Sequence, residues 1–471
     1  MSDTPIFSQQ EHTAFLASPR KHVLMLTNHG IQEWEVNPGL PDTGGQVVFV
    51  NNLSDALVKS GFKVTIENRG GYPHPLTGRR REGIHYKDEY QRMVYLEDGL
   101  DEFVRKEDMH EQMPGLLVAL RRFVDDEGTP VDLIISHYWD GAQLGVLYNR
   151  SRQGRVKHVW VPHSLGAIKK HNVPPTQRGD LRIDERIAVE RNLIADLDGV
   201  GATSSRIRQS LKEDYGYVGP PLFLPPSIDP ERYRPREVPD TDAVWGFLSR
   251  WSGLPPEAVR ECKIVTEISR TVTSKRKDVL IEAFAVVQER VPNSLLVVSV
   301  DDTKAELAGE LRALIRARGV QNYVATYVPD EVLPALYAVS DVYCTASVME
   351  GFGMSAQEAA ASGVPVVASH LVPFVSEYLL GEDVEVCEFE GSDQPVKRGR
   401  GAVVVQADHV DGFAYALEML LTDDELRKEM GANAYHITIP YFTWPSMVAT
   451  FLDQIGVRPE DAPERAHAPA A

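Results

Sequence analysis

Two glutamates, Glu350 and Glu358, lie eight residues apart in the stretch MEGFGMSAQE. An apolar run predicts a strand at Asp341–Cys344 just before them. Glu350 should therefore lie in a loop at the carboxyl end of a strand, which is where open α/β sheets bind ligands. Gly351 and Gly353 would let backbone amides approach a substrate oxygen closely.

The two carboxylates suit sugar hydroxyls, because one carboxylate can accept hydrogen bonds from both hydroxyls of a diol. Glu358 should lie about one turn into a helix that begins near Met354, and we expect it to bind a ribose. We expect Glu350 to bind hydroxyls of a second sugar. The alternatives are that Glu358 only compensates the helix dipole and that Glu350 is a surface charge of the loop.

A basic loop follows the predicted strand Lys263–Ile268. Arg270 and Lys275 are five residues apart and can converge on one anion, with Arg as a fork and Lys as a point charge. The cluster also holds Arg276 and Lys277, which is unusual in a chain with a net charge of −19. The loop therefore indicates a phosphate site, and a solvated basic loop is the alternative.

A glycine pair, Gly44–Gly45, precedes a predicted helix that buries Val50, Leu53 and Leu57 on one face. Asp42 and Thr43 are suitable capping residues for its first turn. Free N–H groups at the positive end of a helix dipole suit a phosphate or a sugar hydroxyl. A tight strand–helix turn without a ligand is the alternative.

The elements that would position these residues are short apolar strands that alternate with amphipathic helices. Nearly continuous apolar strands are typical of parallel sheets covered on both faces, so the fold class is α/β with two doubly wound Rossmann-like domains. The predicted strands are His22–Leu26, Lys63–Glu67, Val131–Ile135, Val156–Val161, Gly199–Thr203, Lys263–Ile268, Leu295–Val300, Val324–Val328, Asp341–Cys344, Val364–Ala368 and Ala402–Val405.

Composition narrows the class of protein. The chain has 471 residues, 43% of them hydrophobic and 25% charged, as in a soluble globular protein. No apolar run approaches the roughly 20 residues that cross a bilayer, and the first twenty residues lack a signal core. Three cysteines without a paired framework suit the cytoplasm. The negative charge argues against nucleic acid or an anionic membrane as the main partner.

Three segments mark the organisation of the chain. Prolines and charges cluster in 225–242, which predicts one domain over 1–235 and a second over 236–440. The polar, aperiodic segment 381–400 is predicted to be a surface insertion. Residues 458–471 are rich in Ala, Pro and charge and are predicted to be a disordered tail.

The motifs together resemble the retaining family-4 glycosyltransferases of the GT-B architecture. The two glutamates and the EAAASGVPVVAS that follows look like that family's E-x7-E signature. Residues 401–435 resemble its closing pattern, and 441–457 its final helix, which crosses back to the first domain. PDTGGQVVFV, SHYWDGAQLG and VPHSLGAIKK are most similar to sucrose-phosphate and mannosylfructose-phosphate synthases.

The resemblance implies that a hexose moves from a nucleoside diphosphate sugar, such as UDP-glucose or GDP-mannose, to a soluble sugar or sugar phosphate with retention. No cofactor is implied, because the nucleotide sugar is a co-substrate. Catalytic roles would fall to His163, Arg270, Lys275 and Glu350. Donor contacts would come from Gly44, Gly45, Arg270, Lys275, Glu350, Gly351, Phe352, Gly353, Met354 and Glu358, and acceptor contacts from Gln46, Lys106, Tyr138 and Lys169.

Several alternatives stay open. A glycosyltransferase with a lipid or polysaccharide acceptor, or a nucleotide-sugar 2-epimerase, would share the fold and the donor-binding motifs. Asp196-Leu-Asp198 has the Asp-x-Asp form of a metal site, but it precedes a strand at the sheet's amino end. We interpret it as a turn and expect no essential metal. The run Arg79–Arg81 is interpreted as solvated charge. The donor base, the hexose and the oligomeric state are not resolved by the sequence.

Overall fold

The computed structural model describes residues 9–36, 40–152, 154–392 and 394–459. These residues form two compact units. Unit 1 contains the described residues up to Leu224 and those from Met447 onward, and unit 2 runs from Pro225 to Ser446. The predicted boundary at 235 lies about ten residues after this division. The return of the chain to unit 1 at Met447 falls within the predicted crossover helix 441–457. Most of the predicted tail, 460–471, lies outside the described residues.

Unit 1 is built on a mixed sheet that is mostly parallel. Its strands are β1 (His22–Leu26), β2 (Lys63–Arg69), β3 (Gly83–Asp88), β4 (Gln91–Leu96), β5 (Leu133–His137), β6 (Lys157–Val161), β7 (Gly199–Ala202) and β8 (Leu222–Phe223). The spatial order is β3-β4-β2-β1-β5-β6-β7-β8. Only β3 of these strands runs antiparallel to its neighbour.

Helices cover both faces of this sheet. They are α1 (Gln9–Ala17), α2 (Gly45–Lys59), α3 (Met113–Glu127), α4 (Tyr138–Arg150), α5 (Gly166–Asn172), α6 (Ile183–Leu193) and α7 (Ser205–Glu213). Every residue of β1 is buried, as expected for a strand covered on both sides. Val50, Leu53 and Leu57 of α2 are fully buried, which confirms the face predicted from their spacing.

Unit 2 repeats the plan. Its strands are β9 (Lys263–Glu267), β10 (Ser294–Ser299), β11 (Tyr323–Thr326), β12 (Val342–Thr345), β13 (Val366–Ser369), β14 (Glu385–Cys387), β15 (Val396–Arg398) and β16 (Ala402–Val405), in the order β11-β10-β9-β12-β13-β16-β15-β14. The strands β9–β13 and β16 are parallel, whereas β14 and β15 are antiparallel to their neighbours.

Its helices are α8 (Ala243–Ser252), α9 (Pro256–Glu261), α10 (Lys277–Arg290), α11 (Ala305–Ala317), α12 (Leu333–Val339), α13 (Met354–Ala361), α14 (Val410–Thr422) and α15 (Asp424–Thr438). The last helix, α16 (Trp444–Ile455), begins in unit 2, and its residues from Met447 belong to unit 1. There, Ile455 accepts a hydrogen bond from Lys157 Nζ at 2.5 Å. Within the described ranges, no helix is both long and apolar enough to cross a membrane.

Every predicted strand overlaps a strand of the structure, but one interpretation was wrong. Segment 381–400 is largely exposed, as predicted for a surface segment, and it also contains β14 and β15, which extend the sheet beyond β16. Arg81 is not solvated: it is 4% exposed and donates to Asn68 Oδ1 at 2.6 Å and to the Gln32 carbonyl. Arg79 and Arg80 are exposed, as predicted.

Candidate active site

In unit 2, the loops that follow β9 and β12 meet because these two strands are neighbours in the sheet. Lys275, in a short 3-10 turn of the first loop, donates from Nζ to Glu350 Oε1 in the second. Lys275 is 7% exposed, and the Glu350 side chain retains 19% exposure. Arg270 extends into solvent, and none of the described residues pairs with its side chain. The structure thus brings the predicted cation and carboxylate together.

The turn between Glu350 and α13 has a backbone that requires glycine. Gly353, the residue before α13, has φ +111°, and a Cβ there would lie 2.6 Å from Val372 Cγ1. Gly351 is exposed and Met354 is partly exposed at the start of the helix. Phe352 is 3% exposed and packs on Phe374 with ring centroids 5.4 Å apart. Its carbonyl accepts a hydrogen bond from the Phe374 amide at 2.8 Å, so its amide is the group that could contact a nucleotide sugar.

Glu358 lies on α13, which begins at Met354 as predicted. Its Oε2 accepts a hydrogen bond from the Tyr337 hydroxyl at 3.1 Å. Burial raises the pKa of Glu358 to about 7, against the lowering effects of the Tyr337 hydroxyl and the Arg232 charge. Glu358 is partly exposed, so its carboxyl can still contact a ligand. With this pKa, the carboxyl titrates near neutral pH.

In unit 1, α2 begins at Gly45, and Gly44 is its N-cap residue without a side-chain cap. The predicted capping by Asp42 and Thr43 is wrong. Asp42 instead contacts Lys106 Nζ and accepts a hydrogen bond from the Lys106 amide at 3.3 Å. This partner is 64 residues away in sequence, so no local pattern indicated it. Gly44 has no side chain to cap the first turn of α2, and the Val47 and Val48 amides donate to its carbonyl.

His163 follows β6 with φ +55°, and its Nε2 lies 2.9 Å from Nδ1 of His137 at the end of β5. Its ring also packs edge-on against Phe49 of α2, with centroids 5.0 Å apart. Burial lowers the pKa of His163 to about 3 and that of His137 well below its usual value. Both imidazoles are therefore neutral at pH 7, and His163 can donate or accept a hydrogen bond without carrying charge.

Sequence reasoning missed His137 and two further groups at this edge of the sheet. His29 Nδ1 lies 2.9 Å from Asp140 Oδ1, and this carboxylate is fully buried. Glu67, two residues before the end of β2, is 1% exposed, and burial raises its pKa to about 8. Each of these residues lies near or just after the carboxyl end of a parallel strand, and that position would have pointed to them.

The predicted acceptor residues lie on the same unit. Tyr138 is buried with φ +63°, and its hydroxyl accepts a hydrogen bond from Arg186. Gln46 donates to Thr27 Oγ1 at 3.3 Å. Lys106 Nζ and Lys169 Nζ lie 3.8 Å and 3.6 Å from the same oxygen of Glu107. Burial lowers the pKa of Lys169, whereas the Asp42 and Glu107 carboxylates outweigh burial and raise that of Lys106.

Potential metal ligands are not clustered in the part of the chain that the structure describes, where no three His, Cys, Asp or Glu side chains group together. Asp196 ends a 3-10 turn and pairs with Arg150, and Asp198 accepts a hydrogen bond from the His158 amide at 2.7 Å. Both lie at the amino end of β7, as predicted for a turn. Independence from metal stays a prediction.

Comparison with known proteins decides the family. The model described as Glycosyltransferase Family 4 matches residues 43–232, and that described as Glycosyl transferases group 1 matches residues 256–437. The mannosylfructose-phosphate synthase of Agrobacterium fabrum is 30% identical over 362 residues, which cover 74% of this chain and 76% of the relative. The chain belongs to the family-4 glycosyltransferases.

Other comparisons support this glycosyltransferase assignment. The D-inositol 3-phosphate glycosyltransferase of Corynebacterium jeikeium is 28% identical over 84% of this chain and 88% of its own. The solved sucrose-phosphate synthase of Thermosynechococcus elongatus superposes with a TM-score of 0.71 at 20% identity, covering 92% of this chain and 97% of that one. This likeness shows the fold, and the glycosyltransferase therefore has the GT-B architecture of two α/β domains.

Proposed function

We propose that this glycosyltransferase moves a hexose from a nucleoside diphosphate hexose to a hydroxyl of a soluble sugar or sugar phosphate, with the anomeric configuration retained. The observation that carries the proposal is the contact between Lys275 and Glu350. It brings a cation suited to a diphosphate and a carboxylate suited to sugar hydroxyls to one edge of the unit 2 sheet.

On the side of the nucleotide sugar, the proposal gives the cations and the carboxylates different roles. As the glycosidic bond breaks, negative charge grows on the diphosphate, and Arg270 and Lys275 stabilise it. Glu350 accepts hydrogen bonds from the hexose, and Glu358 from the ribose. When the diphosphate binds, Lys275 is shared between it and Glu350, so the ammonium remains paired before and after donor binding. In this proposal the amides at Gly44–Gly45 and at Gly353 are further, uncharged hydrogen-bond donors.

The acceptor half rests on unit 1. The two relatives named above are a mannosylfructose-phosphate synthase and an inositol 3-phosphate glycosyltransferase, and both names include a phosphorylated polyol. Lys106 and Lys169 are the cations suited to such a phosphate, which would compete with Glu107 for them. His163 is neutral and positions a hydroxyl rather than carrying charge. In the proposed same-face attack, the departing phosphate takes the acceptor's proton.

The proposed location is the cytoplasm, because Cys262, Cys344 and Cys387 are all free thiols. No essential metal is proposed. Inositol 3-phosphate is a second candidate acceptor, favoured by the similarity to the inositol phosphate enzymes.

The testing experiment measures nucleotide release over a grid of UDP-, GDP- and ADP-hexoses, with and without EDTA. The acceptors are fructose 6-phosphate, glucose 6-phosphate, inositol 3-phosphate, fructose and glycerate. Release that depends on one donor and one soluble acceptor, with an α-linked product from an α-linked donor, supports the proposal. Tight donor binding without any active soluble acceptor would point to a lipid or polysaccharide acceptor. Release of nucleotide without any acceptor would favour the alternative function, a nucleotide-sugar 2-epimerase.

A further inference from the structure

Lys277 has no part in the donor chemistry proposed above, yet it is buried directly beneath the basic loop. It is the first residue of α10 and is 3% exposed. Its ammonium donates to Glu267 Oε2 at 2.6 Å, to the Ser269 carbonyl at 3.0 Å and to the Ser299 carbonyl at 2.7 Å. All three N–H donors are therefore used, and each acceptor belongs to a different segment: the end of β9, the loop and the end of β10.

This arrangement is poorly explained as a simple stabilising ion pair. Glu267 is 1% exposed, and its Oε1 has no hydrogen-bond partner among the described residues. Burying a charged pair costs desolvation that its attraction often only balances, and apolar residues of similar volume are frequently as stable. A buried pair that leaves one carboxylate oxygen unsatisfied is a still weaker source of stability. The geometry therefore calls for another role.

The positions of the contacts suggest what that role is. Ser269 immediately precedes Arg270, and Lys275 lies two residues before Lys277, so the buried ammonium joins the two ends of the loop that carries both cations. Neutral contacts also hold the middle of the loop. Thr271 Oγ1 accepts from the Asp301 amide at 2.8 Å, and the Ser274 carbonyl accepts from the Val348 amide at 2.9 Å.

We propose that the buried Glu267–Lys277 pair is a positioning device that holds the loop 269–276 so that Arg270 and Lys275 meet the donor diphosphate. Glu267 fixes the ammonium against the rigid end of β9, and the ammonium fixes the backbone at Ser269. Neither side chain touches the donor. The inference rests on the proposed role of Arg270 and Lys275 as diphosphate ligands and extends that role to the residues that set their geometry.

The test replaces both charges together, as Lys277→Met with Glu267→Gln, so that no buried charge is left unpaired. Calorimetric titrations then compare UDP with UMP, GDP with GMP and ADP with AMP. The second phosphate of a nucleoside diphosphate is the group that Arg270 and Lys275 of the loop would contact. We therefore expect diphosphate binding to weaken by at least about tenfold, as for loss of one hydrogen bond to a charged group. Monophosphate binding should stay unchanged, and kcat should fall by about 100-fold.

A second pair of changes guards against a variant that does not fold. In Lys277→Gln with Glu267→Gln, two amides can bond to each other, but the shorter side chain releases the Ser269 carbonyl, so the same loss is expected. The matched control removes another buried pair, Arg92 and Glu127 of unit 1, whose guanidinium and carboxylate lie 2.5–2.8 Å apart. Arg92→Met with Glu127→Gln should lower the melting temperature and leave the ratio of diphosphate to monophosphate affinity unchanged.

An unchanged ratio in either folded Glu267–Lys277 variant overturns the positioning role, and so does an equal loss in the Arg92–Glu127 control. Arg270→Ala and Lys275→Ala separate this inference from the proposed function. If they weaken diphosphate binding while the paired variants do not, only the positioning role fails. If they too leave diphosphate binding unchanged, the proposed donor site fails, and the positioning role fails with it.

Discussion

Replacing Glu358 with glutamine should remove a pH dependence from donor binding. The carboxyl lies on α13, where burial raises its pKa to about 7 and the Tyr337 hydroxyl, 3.1 Å away, limits that rise. Ribose hydroxyls donate hydrogen bonds, which the ionised carboxylate accepts. The protonated carboxyl group carries a hydrogen-bond donor of its own and accepts such bonds less well. Donor affinity should therefore increase as the pH rises through the pKa of Glu358.

The size of the effect follows from the titration. With a pKa near 7, the ionised fraction rises from about one tenth at pH 6 to about nine tenths at pH 8. Apparent affinity scales with the competent fraction, so the dissociation constant of the donor should fall about tenfold over this range. Glutamine does not titrate. The Glu358→Gln enzyme should bind more weakly at pH 8 and show only the pH dependence that the nucleotide itself contributes.

The assay is calorimetric titration of the nucleoside diphosphate into both proteins at pH 6, 7 and 8. Phosphate ionisation is common to the two series, so the ratio of the two dissociation constants isolates Glu358. Tyr337→Phe provides a third series, because loss of its hydrogen bond should raise the pKa of Glu358 and move the transition to higher pH. Parallel pH profiles for the wild type and Glu358→Gln would refute the assignment of this carboxylate to donor binding.

Three further predictions test other parts of the site. Arg270 is exposed, so Arg270→Ala should leave the circular dichroism spectrum unchanged while lowering kcat/KM by about 100-fold; full activity would remove Arg270 from the site. His163 has a pKa of about 3 and stays neutral at working pH, so His163→Gln should lower kcat without changing the shape of the pH–rate profile between pH 5 and 8. In Gly353→Ala, the strain at φ +111° should cost about 1–3 kcal/mol in a urea unfolding experiment. An unchanged midpoint would mean that the turn relaxes.

The sequence predicted the parallel strands well because burial on both faces leaves a clear mark, a short run of apolar residues. It missed β3 and β4, since the exposed β3 has no apolar run and β4 contains Arg92. That arginine is buried because Glu127, 35 residues away, pairs with it. The strands β14 and β15 were missed for a related reason. They are three residues long and largely exposed at the sheet edge, where polar residues are tolerated.

In the candidate site, too, some contacts could be anticipated from the sequence and others could not. The meeting of Lys275 and Glu350 could be anticipated, because residues that follow neighbouring parallel strands share one edge of a sheet. The partners of Asp42, Arg81 and Lys277 could not be anticipated, because each contact depends on where another segment of the chain places the partner group. A charged residue therefore looks the same in sequence whether it is a ligand, a surface charge or a buried support.

The discontinuity of unit 1 has a consequence for how the chain is made. Its segment up to Leu224 leaves the ribosome long before α16, yet Lys157 and the Phe223 amide bond to Ile455 and Gln454 of that helix. Unit 2 is continuous, so it can complete its core while unit 1 still lacks its last helix. During synthesis unit 2 can therefore be completed before unit 1, although unit 1 begins first, and the surface of nascent unit 1 that binds α16 stays uncovered until that helix emerges.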